Sequence, residues 1–249
     1  MKAPSQKEGR IRLHSGYSNL WVVGVIHDRC SRARDALYTR SLLLHKNKDS
    51  PTSNFTEETL LMVIADLFIA GTDTTSNTLR WSLLMMLLHP HIQKKVHEEI
   101  DRVIGADRVP TIEDQSKMPY TSAVIHEVQR YGNILPIALL HMTYRNTNIQ
   151  GFDIPKDKSI WKKPYQFYPE HFMDSEGNFV KNETFIPFSA GRRICVGEQL
   201  ARMNLFIFFT TLLQRFKFRI PDDQPSPRHD PVFFISYYPN PFQVCCSER

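Results

Sequence analysis

From residue 54 onward the apolar positions fall into helical spacing, punctuated by prolines and glycines. Asn54 followed by Glu57 is a capping-box-like start, and the pattern stays helix-compatible up to His89-Pro90, where the proline ends it. A helix of that span is about 50 Å long at about 1.5 Å per residue. Its apolar character on most sides predicts a rod running through the middle of a domain. A second, amphipathic helix places Ile92, Val96, Ile100 and Val103 on one face and Lys94, Lys95, Glu98 and Glu99 on the other. A third covers residues 121–131 and stops before Gly132. Extended segments are expected at 134–144 and 149–154, an irregular Pro- and aromatic-rich stretch at 161–174, a helix at 198–215 and a strand at 216–220. Residues 233–238 and 242–245 flank Pro239-Asn240-Pro241 as a hairpin-like end. The expected fold class is mainly α with a minor β part and no internal repeat. Residues 1–44 carry no such pattern and stay unassigned, with poor order expected there.

Composition narrows the classes. The chain has 249 residues, 41% hydrophobic and 23% charged, which is ordinary for a globular protein and not for a disordered one. A net charge of +5 is too small and too scattered to argue for nucleic acid; it suits an acidic partner or an anionic membrane surface. Cys30, Cys195, Cys245 and Cys246 have no zinc-site spacing, which favours a reducing compartment. The most apolar window, residues 60–70, is broken by Asp66 and falls well short of the roughly 20 residues a spanning helix needs, so no anchor is expected in this chain.

The strongest chemical signal is Phe188-Ser189-Ala190-Gly191-Arg192-Arg193-Ile194-Cys195-Val196-Gly197, directly before the last long helix. Glycines around the cysteine let the backbone fold tightly enough for N–H groups to point at one sulfur. The helix N-terminus favours thiolate over thiol. Such a lone thiolate suits a single open-shell metal and is too isolated for zinc or an iron–sulfur cluster. By itself a lone cysteine reads as a buried thiol at a glycine turn. The whole spacing F-x-x-G-x-R-x-C-x-G arises by chance at a rate of order one in ten thousand for a chain of this size.

That spacing resembles the haem-thiolate loop of the cytochrome P-450 family, in its microsomal, family 2-like form. Three further motifs follow the family order. Ala70-Gly71-Thr72-Asp73-Thr74-Thr75 resembles the oxygen-activating motif of the long helix; Glu127-Val128-Gln129-Arg130 resembles the E-x-x-R helix; Phe167-Tyr168-Pro169-Glu170-His171-Phe172 resembles the P-E-R-F segment, with His171 in the arginine's place. The likeness covers residues 45–249.

The resemblance implies a partial P-450 fold: a long central helix, the E-x-x-R helix, the haem-thiolate loop with its helix, and small sheets. It implies haem b ligated by Cys195, with Ala70, Gly71, His141, Phe188, Arg193 and Gly197 lining or anchoring the cofactor. Asp73 and Thr74 would relay protons; alone, Thr74 reads as a helix residue bonding its own backbone. Glu127, Arg130 and His171 would form a buried structural network, whereas an exposed pair at that spacing would contribute little. Ile137, Ala138, Leu139, Phe234, Ile235 and Ser236 would face substrate, with plain core packing the alternative. Leu140 stands where the family usually has proline before the histidine.

The implied activity is a monooxygenase acting on a small apolar substrate (fatty acid, steroid or xenobiotic). Its electrons would come from NADPH through NADPH-cytochrome P-450 reductase, with cytochrome b5 as a second donor, at the endoplasmic reticulum membrane and without nucleic acid. Lys94, Lys95, Lys162, Lys163 and Arg202 are candidates for docking the donor, against a solvated charged surface. Family members are much longer, and between Gly151-Phe152-Asp153-Ile154-Pro155-Lys156 and Trp161 they carry a strand and a short helix. The expectation is therefore a truncated carboxy-terminal half with an internal deletion; the alternative is a non-catalytic isoform or fragment lacking a complete active site.

Overall fold

The computed structural model describes residues 8–13, 57–135, 161–233 and 236–249. Cys30, the Asn54 start, residues 137–141, the extended segments expected beyond residue 135, and Phe234 and Ile235 lie outside the described residues.

Four α-helices and small antiparallel sheets make up the described part: β1 (Glu8–Leu13), α1 (Glu57–Leu88), α2 (Pro90–Val103), α3 (Pro119–Gly132), α4 (Glu198–Arg215), β2 (Phe216–Arg219), β3 (Pro231–Phe233), β4 (Tyr237–Pro239) and β5 (Phe242–Glu248). Short 3-10 turns occupy Ile112–Lys117, Pro169–Phe172 and Gly191–Arg193. The chain is mainly α with minor β.

Helix α1 divides into two unlike halves. Every residue from 75 to 87 is buried, polar ones included, with Trp81, Leu84 and Met86 at the centre of the core. The first half instead exposes Leu61, Met62, Val63, Phe68 and Ile69, the last of these 74% exposed. The expected fully embedded rod is embedded over its second half only, among the described residues. Pro90 does not merely stop α1; it takes the first turn of α2, where its missing N–H is no loss.

Helix α2 buries Ile92, Val96 and Ile100, as its period predicts, and leaves Lys94, Lys95 and Glu98 exposed. Glu99 departs from the expected polar face. It is buried and accepts from the backbone N–H groups of Tyr120 and Thr121 and from the Thr121 hydroxyl, at 3.1, 2.7 and 2.7 Å. Those donors belong to the first turn of α3, which has no intrahelical partner for them and attracts a carboxylate.

Helix α3 ends at Gly132, but the residue in the left-handed conformation is Asn133, with φ 35°. Gly132 serves another purpose: a Cβ there would stand 3.0 Å from the Trp81 ring. The glycine lets α1 and α3 approach closely.

Residues 8–13, unassigned from the sequence, form β1 on the edge of a three-stranded sheet of order β1-β5-β2. Glu8 pairs with Ser247 and Leu13 with Phe242. The expected hairpin around Pro239-Asn240-Pro241 is not formed. β4 pairs with β3, and β5 turns to the other sheet.

Candidate functional site

Cys195 sits in the short connection between the Gly191–Arg193 turn and α4. Two left-handed residues shape the approach: Ser189 at φ 67° and Gly191 at φ 72°. The Cys195 N–H donates to the Phe188 carbonyl at 2.9 Å, and the Glu198 N–H donates to the Cys195 carbonyl at 3.2 Å. These amides therefore close the loop; they do not point at the sulfur as the sequence suggested. The thiol is free and exposed, and a Cβ on Gly197 would stand 3.8 Å from it. The alternative of a buried thiol at a glycine turn is set aside. Around the sulfur lies apolar surface: Ile194, Val196 and Leu200 are all at least half exposed. Arg192 and Arg193 are exposed beside them.

The residues present fit a haem. One soft sulfur donor is offered, with no cluster of three His, Cys, Asp or Glu side chains among the described residues. Such a donor set suits a metal that brings its own equatorial ligands, and the uncovered apolar side chains suit a flat apolar group. Gly71 on α1 has open space where a Cβ would be, with nothing within 4 Å.

Along α1, hydroxyls bond back to carbonyls one turn earlier. Thr74 donates to Ala70 at 2.7 Å, Ser76 to Thr72 at 2.6 Å and Thr78 to Thr74 at 2.9 Å. Asp73 is engaged across the fold: the Tyr238 hydroxyl donates to its two oxygens at 2.7 and 2.8 Å, and the Ser236 hydroxyl lies at 3.5 Å. Ser236, expected to face substrate, is 1% exposed and accepts from Asn77 Nδ2 at 3.1 Å. Burial and the neighbouring Asp73 raise the Tyr238 phenol above its ordinary pKa. Arg80, two turns beyond Asp73, is buried under the Tyr238 ring with Nε and Nη2 unpartnered, and desolvation lowers its pKa. Among the described residues no hydrogen bond or ion pair links Asp73 or Thr74 to the Cys195 loop.

The second constellation is complete. Glu127, fully buried, takes a bidentate pair from Arg130 at 2.7 and 2.8 Å. It also accepts from the Tyr168 N–H at 2.8 Å and meets His171 Nδ1 at 3.2 Å. The Lys163 N–H donates to His171 Nε2, so the imidazole hydrogen lies on Nδ1 and points at Glu127. Arg130 caps the Pro164 and Gln166 carbonyls at 2.9 Å each. Glu127, Arg130 and His171 thus come together around the 163–172 segment.

The sequence did not point to a third set. Arg202 donates to Glu198 through Nε at 2.9 Å and to His126 Nε2 through Nη1 at 2.9 Å, and its guanidinium lies 4.9 Å from the Phe188 ring centre. It faces inward, not toward a docking partner. The Glu198/Arg202 spacing of four was legible as a helical ion pair; the histidine reaching it from α3 was not. Lys95 lies against Glu170 and Tyr120, and Lys163 lies 4.0 Å from the Tyr168 ring centre.

A family profile described as Cytochrome P450 matches residues 26–246. The chain belongs to the cytochrome P450 family. It is 53% identical over 219 residues to dog (Canis lupus familiaris) cytochrome P450 2D15 and 52% identical over 219 residues to Homo sapiens cytochrome P450 2D6, each alignment covering 83% of this chain. To the Sus scrofa vitamin D(3) 25-hydroxylase it is 52% identical over 215 residues, covering 81% of this chain. The P450 chain spans 43–44% of the length of these relatives. No helix among its described residues is long and apolar enough to cross a membrane.

Proposed function

We propose that this chain is the haem-thiolate part of a P450 monooxygenase that inserts one oxygen atom of O2 into an apolar organic substrate. The observation that carries the reading is a free, exposed Cys195 thiol at the start of α4, in the family's loop. Residues 45–249 form the carboxy-terminal part of the haem domain, and the cofactor is haem b. When bound, haem supplies the redox-active iron on which dioxygen is activated.

The chain's own residues do the rest. Cys195 would hold the iron through its sulfur, its loop closed by the Phe188 and Glu198 backbone bonds. Arg193 in the loop, and His141, match family positions that neutralise the cofactor's carboxylates. Asp73 and Thr74 would relay protons: the Thr74 hydroxyl has a lone pair free to accept one, and it releases its own hydrogen by giving up its bond to Ala70. Tyr238 and Ser236 fix the Asp73 carboxylate. Ile137, Ala138, Leu139, Phe234 and Ile235 remain the substrate-facing set. Electrons from NADPH would arrive through a flavoprotein reductase, with cytochrome b5 as a second donor, at the endoplasmic reticulum membrane.

The test is the carbon monoxide spectrum of the reduced, haem-loaded chain. The parent is expected to show the thiolate band and Cys195→Ala to lose it. The same band in both would overturn the ligation. A second reading, a non-catalytic form, is favoured by the uncovered Leu61–Ile69 face of α1 and by Val196, 92% exposed. Aggregated, haem-free material in size exclusion supports that reading, and a monomer with stoichiometric haem overturns it.

A further inference from the structure

Glu127 organises the 163–172 segment through its hydrogen bonds, and its neighbour His126 packs on Phe172 at the end of that segment while bonding toward α4. Arginine only donates, so the 2.9 Å contact from Arg202 Nη1 ends on a lone pair of His126 Nε2. The ring hydrogen is then on Nδ1, donating to the Ser122 carbonyl at 2.7 Å within the same helix. Phe172, Phe179 and Phe185 surround the imidazole, with ring centres 4.7–5.8 Å away. Burial among them, with the Arg202 and Lys181 charges nearby, lowers the His126 pKa to about 4, so the accepting lone pair persists at neutral pH.

From that fixed point Arg202 touches both sides of the cysteine loop. Its guanidinium lies 4.9 Å from the Phe188 ring centre, and Phe188 accepts the Cys195 N–H. It also pairs with Glu198, whose N–H holds the Cys195 carbonyl. A cavity of about 240 Å³ lined by Gln115, His126, Phe179, Phe185, Glu198 and Arg202 opens beside this contact. Packing between His126 of α3 and Glu198 and Arg202 of α4 is therefore open on one side, and the polar contact bridges the two helices there.

We propose that His126 and Arg202 are positioning residues, a clamp that holds the Cys195 loop against α3 and so fixes where the sulfur stands. What the sulfur does rests on the function proposed above; the clamp itself does not. Adjacent residues of one helix thus serve two attachments, Glu127 to the 163–172 segment and His126 to the thiol loop.

Hydrogen exchange on the full chain tests this, comparing peptides from 186–198 with peptides from 163–168, which Glu127 and Arg130 hold and which exclude Phe172. His126→Phe keeps the ring and removes the acceptor; His126→Gln retains an acceptor oxygen; Arg202→Met removes the donor. Exchange in 186–198 is expected to rise about tenfold or more in His126→Phe and Arg202→Met, to change less than about twofold in 163–168, and to return near the parent rate in His126→Gln. Haem-loaded, the first two variants should lose part of the thiolate carbon monoxide band and His126→Gln should recover it. Unchanged loop exchange in His126→Phe, no rescue by His126→Gln, or equal acceleration of both peptides would each overturn the clamp. If Arg202→Met does not fold, the two His126 variants decide the matter. A parent chain that takes up no haem overturns the proposed function, and the exchange data still judge the clamp.

Discussion

A carboxylate with no solvent contact is tolerable only when its oxygens are all used, and Glu127 meets that condition. Arg130, Tyr168 and His171 occupy them at 2.7–3.2 Å. Removing it strands a nearly buried guanidinium and frees the 163–172 backbone. Glu127→Ala should therefore lower stability by about 3–5 kcal/mol, read from urea unfolding. His97 is a different case: buried, with Nε2 unpartnered, its pKa is lowered to about 4 by desolvation first and by Arg249 second. The unfolded chain takes up a proton near pH 6.5 that the folded chain refuses, so stability is full above about 6.5 and drains as pH falls toward about 4. Thermal midpoints between pH 7 and 4 should slope less in His97→Leu than in the parent, with His126 leaving a residual slope.

Among the elements, helices that carry their own signature were legible from sequence. Apolar period and proline placed α2, and the motif-bounded start of α4 at Glu198 was read to the residue. Missed features depend on partners far along the chain. Glu99 looked like a surface charge because nothing local says that the first turn of α3 lies beside it. β1 was unreadable because its reason for existing is the edge of β5, more than two hundred residues away. The Cys195 loop was readable as a spacing, whereas its attachment through His126 was not. Helix α1 shows the contrast within one element. Leu84→Ala, in the sealed half, should cost about 2–5 kcal/mol. Ile69→Glu, in the open half, should change unfolding free energy by no more than about 0.5 kcal/mol and raise solubility.

At the scale of the molecule, the first and last described strands lie side by side, so β1 shields one edge of β5. Deleting residues 1–13 should expose that edge and shift the chain toward oligomers in sedimentation velocity. The uneven setting of α1 has a wider result. Thirteen consecutive residues, 75 to 87, are gripped on all sides, while the stretch before them has little to lean on. An unsupported helix in water sits near its own melting balance. Gly71 to Thr74 fall at the border between the two regimes, where a glycine already weakens the coil. Whatever comes to rest on Leu61 to Ile69, whether lipid, substrate or protein, would therefore wind the helix taut up to the threonine, and the Thr74 hydroxyl would keep its hold on Ala70 most firmly while that visitor stays.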